Sequence, residues 1–428
     1  MKPDSIDRPR ITILHYTAPP VMGGVESTIF HHGRLLAGYG YDIRVLAGRG
    51  SVFHPSVTFD PVQELDALQP SALRVRRELN EGKVTKRFRD LRDRIAEAIW
   101  PSLQGGDILM VHNVLTLHNH LALTAALHQL LVERQAFGGR VVGWHHDLAW
   151  ARPDIAGELH EGYPWELLKK PWPGVLNVVV SDARREQLAE LYGIPGAEIA
   201  VIPPGVDPAR WLCRTDTARR ILEDYRLLEA DLILLLPARI SRRKNIDLAV
   251  QTLAVLRNRR HVDARLLVTG PPGPYSPTNV EYLKELLAMR EALGLEKAAH
   301  LLYEAGREGS PFVPDDQTIA SLYALADALF FPSVEEGFGI PLLEAGVMRL
   351  PIFCSCLPPM IKTGGDEAHY FRADATPEAI AELIAKVMAR EPAYRMRRRV
   401  LHAYTWETIV EEQVLPLLKA ISEQTTAA

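Results

Sequence analysis

Little in this chain supports chemistry based on sulfur or on a membrane span. Its 428 residues hold only three cysteines, Cys213, Cys354 and Cys356. They are too few for a disulfide framework and lack the paired Cys-x2-Cys ends of a structural zinc site. A reducing compartment is expected. No run approaches the ~18 apolar residues of a membrane-crossing helix, and the polar stretch Met1–Arg10 carries no apolar core of a secretory leader. A cytoplasmic protein is expected. Charge of one sign is also scarce: 49 Lys plus Arg against 53 Asp plus Glu give a formal net charge of −4, so nucleic acid is not an expected partner. The Gly-x-Gly-x-x-Gly fingerprint and a phosphate loop ending in Gly-Lys-Ser/Thr are both missing, which counts against a nicotinamide dehydrogenase and an ordinary nucleoside triphosphatase.

What is present is a globular composition, 47% hydrophobic and 24% charged, in a chain too long for one ordinary domain. Short apolar runs alternate with longer amphipathic stretches from end to end, the pattern of repeated strand-helix units around mainly parallel sheets. In the first half, strands are predicted at Ile11–Tyr16, Tyr41–Leu46, Asp107–His112, Val141–Trp144 and Asn177–Ser181, with a helix over Val25–Ala37. In the second half, strands are predicted at Leu232–Leu236, Arg265–Thr269, His300–Tyr303, Ala328–Phe331 and Pro351–Cys354. Helices are predicted there over Ile246–Leu256, Val280–Leu293, Ile319–Leu325 and Leu342–Val347. Between the halves, Val201-Ile-Pro-Pro-Gly-Val-Asp207 reads as a linker, placing a boundary near Gly205. The fold class is therefore α/β, two doubly wound Rossmann-like domains, and ligands are expected in a central cleft at the carboxyl ends of the strands.

The strongest motif is Pro332-Ser-Val-Glu-Glu-Gly-Phe-Gly-Ile-Pro-Leu-Leu-Glu344, which follows a strand and opens a helix. Its glycines let backbone N–H groups approach an anion, Pro341 suits a first helical turn, and free amides at a helix start favour phosphate. Seven residues separate Glu336 from Glu344, one carboxylate before the glycine turn and one within the helix. A second motif, Leu236-Pro-Ala-Arg239-Ile-Ser-Arg-Arg-Lys244, is a basic loop leaving a strand. Its two cations, Arg239 and Lys244, suit the clamping of a nucleotide diphosphate and the stabilisation of its negative charge as it departs. A third, Ala18-Pro-Pro-Val-Met-Gly23-Gly24-Val-Glu26, pairs two glycines where a backbone can approach a ligand. Alone it is common turn punctuation.

Together these motifs make the chain resemble, over nearly its whole length, the retaining GT-B glycosyltransferases, in particular their large fourth family, which uses nucleotide-activated sugars. The resemblance implies a donor-binding set of Gly23, Gly24, Arg239, Lys244, Glu336, Gly337, Phe338, Gly339, Ile340 and Glu344, with Glu336 near donor-sugar hydroxyls and Glu344 at the ribose. It implies an N-terminal acceptor domain over residues 1–205, a C-terminal donor domain over 206–403, and a last segment, 404–428, that crosses back to the first. It implies a hexose moved from a UDP- or GDP-linked donor to a hydroxyl acceptor. The nucleotide sugar is then a substrate, no cofactor is expected, and no metal is required. The family's acceptor-side histidine corresponds to one of the pair in Gly143-Trp-His145-His146-Asp147, and His146 fits the pattern best. Glu336, Arg239, Lys244 and His146 form the implied catalytic set.

His112, His118, His120 and His128 raise metal binding, yet no acidic or cysteine partner recurs at a metal-ligand spacing. Arg74–Arg94 holds nine basic and four acidic side chains. This local 9 − 4 = +5 reads either as a solvated helix face or as a surface for a polar or anionic acceptor or for peripheral membrane contact. Arg395–Arg399 reads as an exposed basic helix end. Two other functions fit the same fold: a nucleotide-sugar 2-epimerase and a non-catalytic nucleotide-sugar sensor. The sequence assigns no oligomeric state.

Overall fold

Thirteen strands among the described residues pair in parallel throughout, in two separate sheets. The computed structural model describes residues 9–274, 276–306, 311–372 and 374–426, so most of the polar Met1–Arg10 stretch lies outside the described residues. The chain forms two units, one of Met1–Val206 with Trp406–Ala428 and one of Asp207–Thr405.

In the first unit, β1 (Arg10–Leu14), β2 (Asp42–Ala47), β3 (Val57–Pro61), β4 (Ile108–His112), β5 (Arg140–His145), β6 (Val175–Val179) and β7 (Ile199–Val201) lie in the order β3-β2-β1-β4-β5-β6-β7. Near-continuous apolar runs make strands buried on both faces. Alternation along each strand then divides the side chains: Leu14, Leu46, Leu109 and Val111 enter one core, while Ile11, Ile13, Ile43, Val45, Ile108 and Met110 enter the other. Into that second core pack Ile409, Val410, Val414, Leu418 and Ile421, from the segment that follows Thr405. Trp406 fixes the return of the chain. Its N–H donates to Val206 O at 3.1 Å, its ring stacks on His31 at 4.8 Å, and a Cβ on Gly205 would meet its backbone N at 2.7 Å.

In the second unit, β8 (Leu232–Leu236), β9 (Ala264–Val268), β10 (Ala299–Leu301), β11 (Ala328–Phe331), β12 (Ile352–Ser355) and β13 (His369–Phe371) take the order β10-β9-β8-β11-β12-β13 around one core. Both sheets thus share one winding, outward in one direction over three strands and then back across the first. Each has a switch point, β1 beside β4 and β8 beside β11, where connections leave to opposite sides and a crevice opens at the strand ends.

Three short strands were not expected from the sequence. β3, β7 and β13 are edge strands of five, three and three residues; β7 and β13 are too short for a periodic signal, and β3, Val-Thr-Phe-Asp-Pro, lacks a continuous apolar run. The basic stretch Arg74–Arg94 is two helices, Pro70–Asn80 and Lys86–Leu103. Gly82 at φ +75° breaks the chain, and the Thr85 side chain accepts from Phe88 N–H to start the second helix. Arg76, Lys83, Lys86, Arg87 and Arg92 each pair with a carboxylate. Arg395–Arg399 lies within the helix Pro392–Ala403 and not at its end, and it is only partly a solvated face. Arg397 donates to the carbonyls of Leu325 and Ala326 at the end of the helix Asp316–Leu325 and pairs with Asp327 at 3.1 Å, while Arg398 pairs with Asp231. No helix among the described residues is long and apolar enough to cross a membrane.

Candidate functional site

In the second unit, the charged residues of the two motifs lie where β8 and β11 end. The loop after β8 carries Arg239, exposed and without a hydrogen-bond or ion-pair partner among the described residues. This loop leans on the one after β9: Ile240 N–H donates to Pro271 O at 2.9 Å, and Gly273 N–H to Ile240 O at 3.0 Å. Gly270 makes the approach possible, since a Cβ there would sit 2.5 Å from Ala238 O. A single 3-10 turn, Arg242–Lys244, then leads through Asn245, at φ +52°, into the helix Ile246–Arg260.

That turn meets the segment after β11. Val334 N–H donates to Arg243 O at 2.9 Å, and Arg243 reaches Glu335 O at 3.4 Å and the Glu336 carboxylate at 3.6 Å. Lys244 Nζ contacts the other oxygen of Glu336 directly and lies 4.6 Å over the Phe331 ring. Both side chains of this pair are only 10% exposed. Burial pulls the Lys244 ammonium below its ordinary pKa, and Glu336 opposes that shift. A predicted clamp cation and a predicted sugar-facing carboxylate therefore neutralise each other, while Arg239 stays open.

Beyond Glu336, the chain passes exposed Gly337 and Phe338 to Gly339 at φ +88°, which caps the helix Ile340–Val347 with Pro341 in its first turn. The left-handed conformation needs glycine there. Pro341 has no N–H and Leu342 N–H donates to Gly339 O at 3.0 Å, which leaves the N–H groups of Gly339 and Ile340 without an intrahelical partner. Glu344 is exposed and accepts from Tyr323 Oη, which settles its rotamer. Ser333 and Ser355, at the ends of β11 and β12, hold buried hydroxyls without a partner among the described residues. Arg243, Phe331 and Tyr323 were not singled out in the sequence. Only the spacing of Arg243 beside Lys244 could have flagged any of them.

In the first unit, the loop after β1 runs to Gly23 and the helix Gly24–Gly38. The two glycines differ. A Cβ on Gly23 would meet Glu26 Oε2 at 2.0 Å, so the folded-back Glu26 side chain, bonded to Thr17 Oγ1, accounts for that glycine. At Gly24 nothing lies within 4 Å of where a Cβ would be, which leaves the open backbone expected of a ligand-facing position.

The end of β5 separates the doubled histidine. His145, the last residue of β5, is fully buried between Thr116 Oγ1 at 3.2 Å and Asn177 Oδ1 at 3.0 Å, and burial pulls its pKa down to about 4. His146 is half-buried with Nε2 3.2 Å from His112 Nδ1. Its pKa falls to about 3, chiefly from burial, so the ring is neutral at pH 7. Asp147 is held by Arg184 at 2.7 Å and Arg152 at 3.3 Å. Of the other histidines raised for metal binding, His118 is engaged by Glu158 at 3.1 Å, His120 by Glu64 O at 2.9 Å and His128 by Glu133 at 3.1 Å.

The profile described as Glycosyltransferase Family 4 matches residues 22–210, and that described as Glycosyl transferases group 1 matches residues 218–400. Among curated relatives, the chain is 27% identical over 267 residues to a mannosylglucosylglycerate synthase of Petrotoga mobilis, spanning 58% of each chain. To the protein of that name from Thermotoga maritima it is 23% identical over 372 residues, 80% of this chain and 79% of that one. An MMP alpha-(1->4)-mannosyltransferase of Mycolicibacterium hassiacum is 24% identical over 452 residues, 96% and 98% of the two chains. All three carry transferase or synthase names, so the comparisons do not favour the epimerase alternative.

Proposed function

Because the chain belongs to the GT-B glycosyltransferases, with a family segment in each half, we propose that it moves a hexosyl group, with retention at the anomeric carbon, from a nucleotide-diphosphate sugar to an acceptor hydroxyl. The observation that supports this most is the meeting of Arg243, Lys244 and Glu336 at the β8–β11 switch point, with Arg239 left open on the same loop. A departing diphosphate develops negative charge on its oxygens. Preformed cations and helix N–H groups stabilise that charge without reorganising. Arg239, Lys244 and the helix start at Gly339 and Ile340 supply them, so a divalent metal is not required. Glu336 orients the donor sugar and balances the local positive charge, Glu344 accepts from the ribose hydroxyls, and His146 serves the acceptor side as a neutral ring. The acceptor proton passes to the leaving phosphate oxygen on the face where the bond breaks.

The relatives' names put mannosyl donors first in line for testing. Purified protein is screened by thermal shift with UDP, GDP, UDP-glucose and GDP-mannose, since a ligand bound only by the folded state raises the midpoint. Release of nucleoside diphosphate is then followed with hexoses, polyols and phosphorylated or carboxylated sugars as acceptors. Transfer with retention, undiminished by EDTA, is expected. Inversion, or activity abolished by the chelator and restored by a divalent cation, would overturn the mechanism. Glu344→Ala should weaken nucleoside diphosphate binding ~10-fold, the loss of about one charge-assisted hydrogen bond, with sugar preference unchanged. Arg239→Ala should lower binding and turnover together, because the open guanidinium contacts diphosphate in both ground and transition states. An unaltered Kd for either variant removes that residue from the donor site.

A further inference from the structure

The geometry points to Asn113 as the residue that positions His146, an inference that rests on the acceptor-side role proposed for His146. Asn113 follows the last residue of β4 and takes φ +61°, a left-handed conformation that asparagine, aspartate and glycine adopt most readily. Its own N–H donates to Trp144 O at 2.8 Å, carrying the β4–β5 ladder one residue past the end of β4. Its side chain then turns to the neighbouring strand end. Oδ1 accepts from His146 N–H at 2.7 Å and from Asp147 N–H at 3.1 Å.

Those two consecutive N–H groups lie just beyond β5, where the ladder has stopped. The carboxamide oxygen takes the place of a strand carbonyl for both and so sets the direction in which His146 leaves the sheet. The opposite side of the same turn is also tied. Asn113 O accepts from Thr116 and Leu117 N–H at 3.1 and 2.9 Å, and Thr116 Oγ1 donates to Asp147 O at 2.9 Å. With its residue only 5% exposed, Asn113 acts on the reaction through His146 and not as a catalytic group.

Three substitutions separate its roles. Asn113→Gly keeps access to the left-handed backbone and removes the acceptor; Asn113→Asp keeps both; Asn113→Ala loses both. Transfer from GDP-mannose or UDP-glucose to the acceptor panel is measured with each variant, with His146→Ala, and with the Asn113→Gly/His146→Ala double variant. Far-UV circular dichroism and thermal midpoints identify the variants that remain folded. The expected result is a loss in kcat on the order of 10- to 100-fold for Asn113→Gly, the scale of a misplaced reacting group. Asn113→Asp should stay within about threefold, donor Kd should be unchanged, and Asn113→Gly should add nothing to His146→Ala.

Wild-type kcat in Asn113→Gly while His146→Ala is impaired overturns the positioning inference and leaves the role of His146 standing. Full activity in His146→Ala removes that role, and a loss in Asn113→Gly then has another origin. A loss that adds fully to that of His146→Ala also overturns the inference.

Discussion

Replacing Lys244 with alanine lowers sugar transfer by about 10²- to 10³-fold, the range for losing one preorganised donor at a site of developing charge. Lys244 lies in a 3-10 turn between β8 and the helix Ile246–Arg260, buried against Phe331, so its ammonium cannot be replaced by a mobile surface lysine. The substitution also leaves Glu336 facing Arg243 at 3.6 Å as its remaining cation, and stripping one partner from a buried pair is destabilising in itself. The Lys244→Ala/Glu336→Gln double variant separates the two effects. Neutralising Glu336 should recover thermal stability, whereas transfer should stay low because the diphosphate still lacks its clamp. Recovery of both would reduce Lys244 to a counter-ion, and near-normal turnover in the single variant would remove it from the donor site.

Acidification from pH 7 to pH 5 destabilises the first unit more than the second. Burial pulls His145 and His120 down to about 4 and His32 and His146 down to about 3, all in the first unit. Their folded values lie below the ordinary 6.5, so as pH falls the unfolded chain binds protons first. The stability they give is intact above about pH 6.5 and is lost progressively toward the folded values. At pH 5, about 1.5 units below the ordinary value, each contributes a loss on the order of 2 kcal/mol. Four such losses, roughly 8 kcal/mol, rival the whole stability of a typical domain, about 5–15 kcal/mol. In the second unit, His300 is pulled down to about 4. Six of the seven tryptophans lie in the first unit, and Trp144 and Trp406 touch His32 and His31. Urea unfolding followed by tryptophan fluorescence at pH 7 and pH 5 therefore reports on this unit. Equal midpoints at the two pH values would contradict the burial of these rings as neutral groups.

The sequence by itself determined the doubly wound plan, because continuous apolar runs such as Leu232–Leu236 and Ala328–Phe331, alternating with helical stretches, need no neighbour to be recognised. It also marked Glu336, Glu344, Arg239 and Lys244, since glycine turns and basic loops between a strand and a helix have few structural uses. Its residues alone did not settle between His145 and His146, although the resemblance favoured His146: the difference comes from where β5 stops pairing, with His145 its last residue and His146 the first beyond it. Nor could it join Lys244 to Glu336, or Asn113 to the His146 backbone, because each pair is brought together by a parallel crossover and not by spacing along the chain. The two glycines of the first loop look alike in sequence. Only the folded-back Glu26, whose carboxylate lies where a Cβ on Gly23 would be, distinguishes Gly23 from Gly24, whose space is open, because what a missing side chain makes room for is a property of its neighbours in three dimensions.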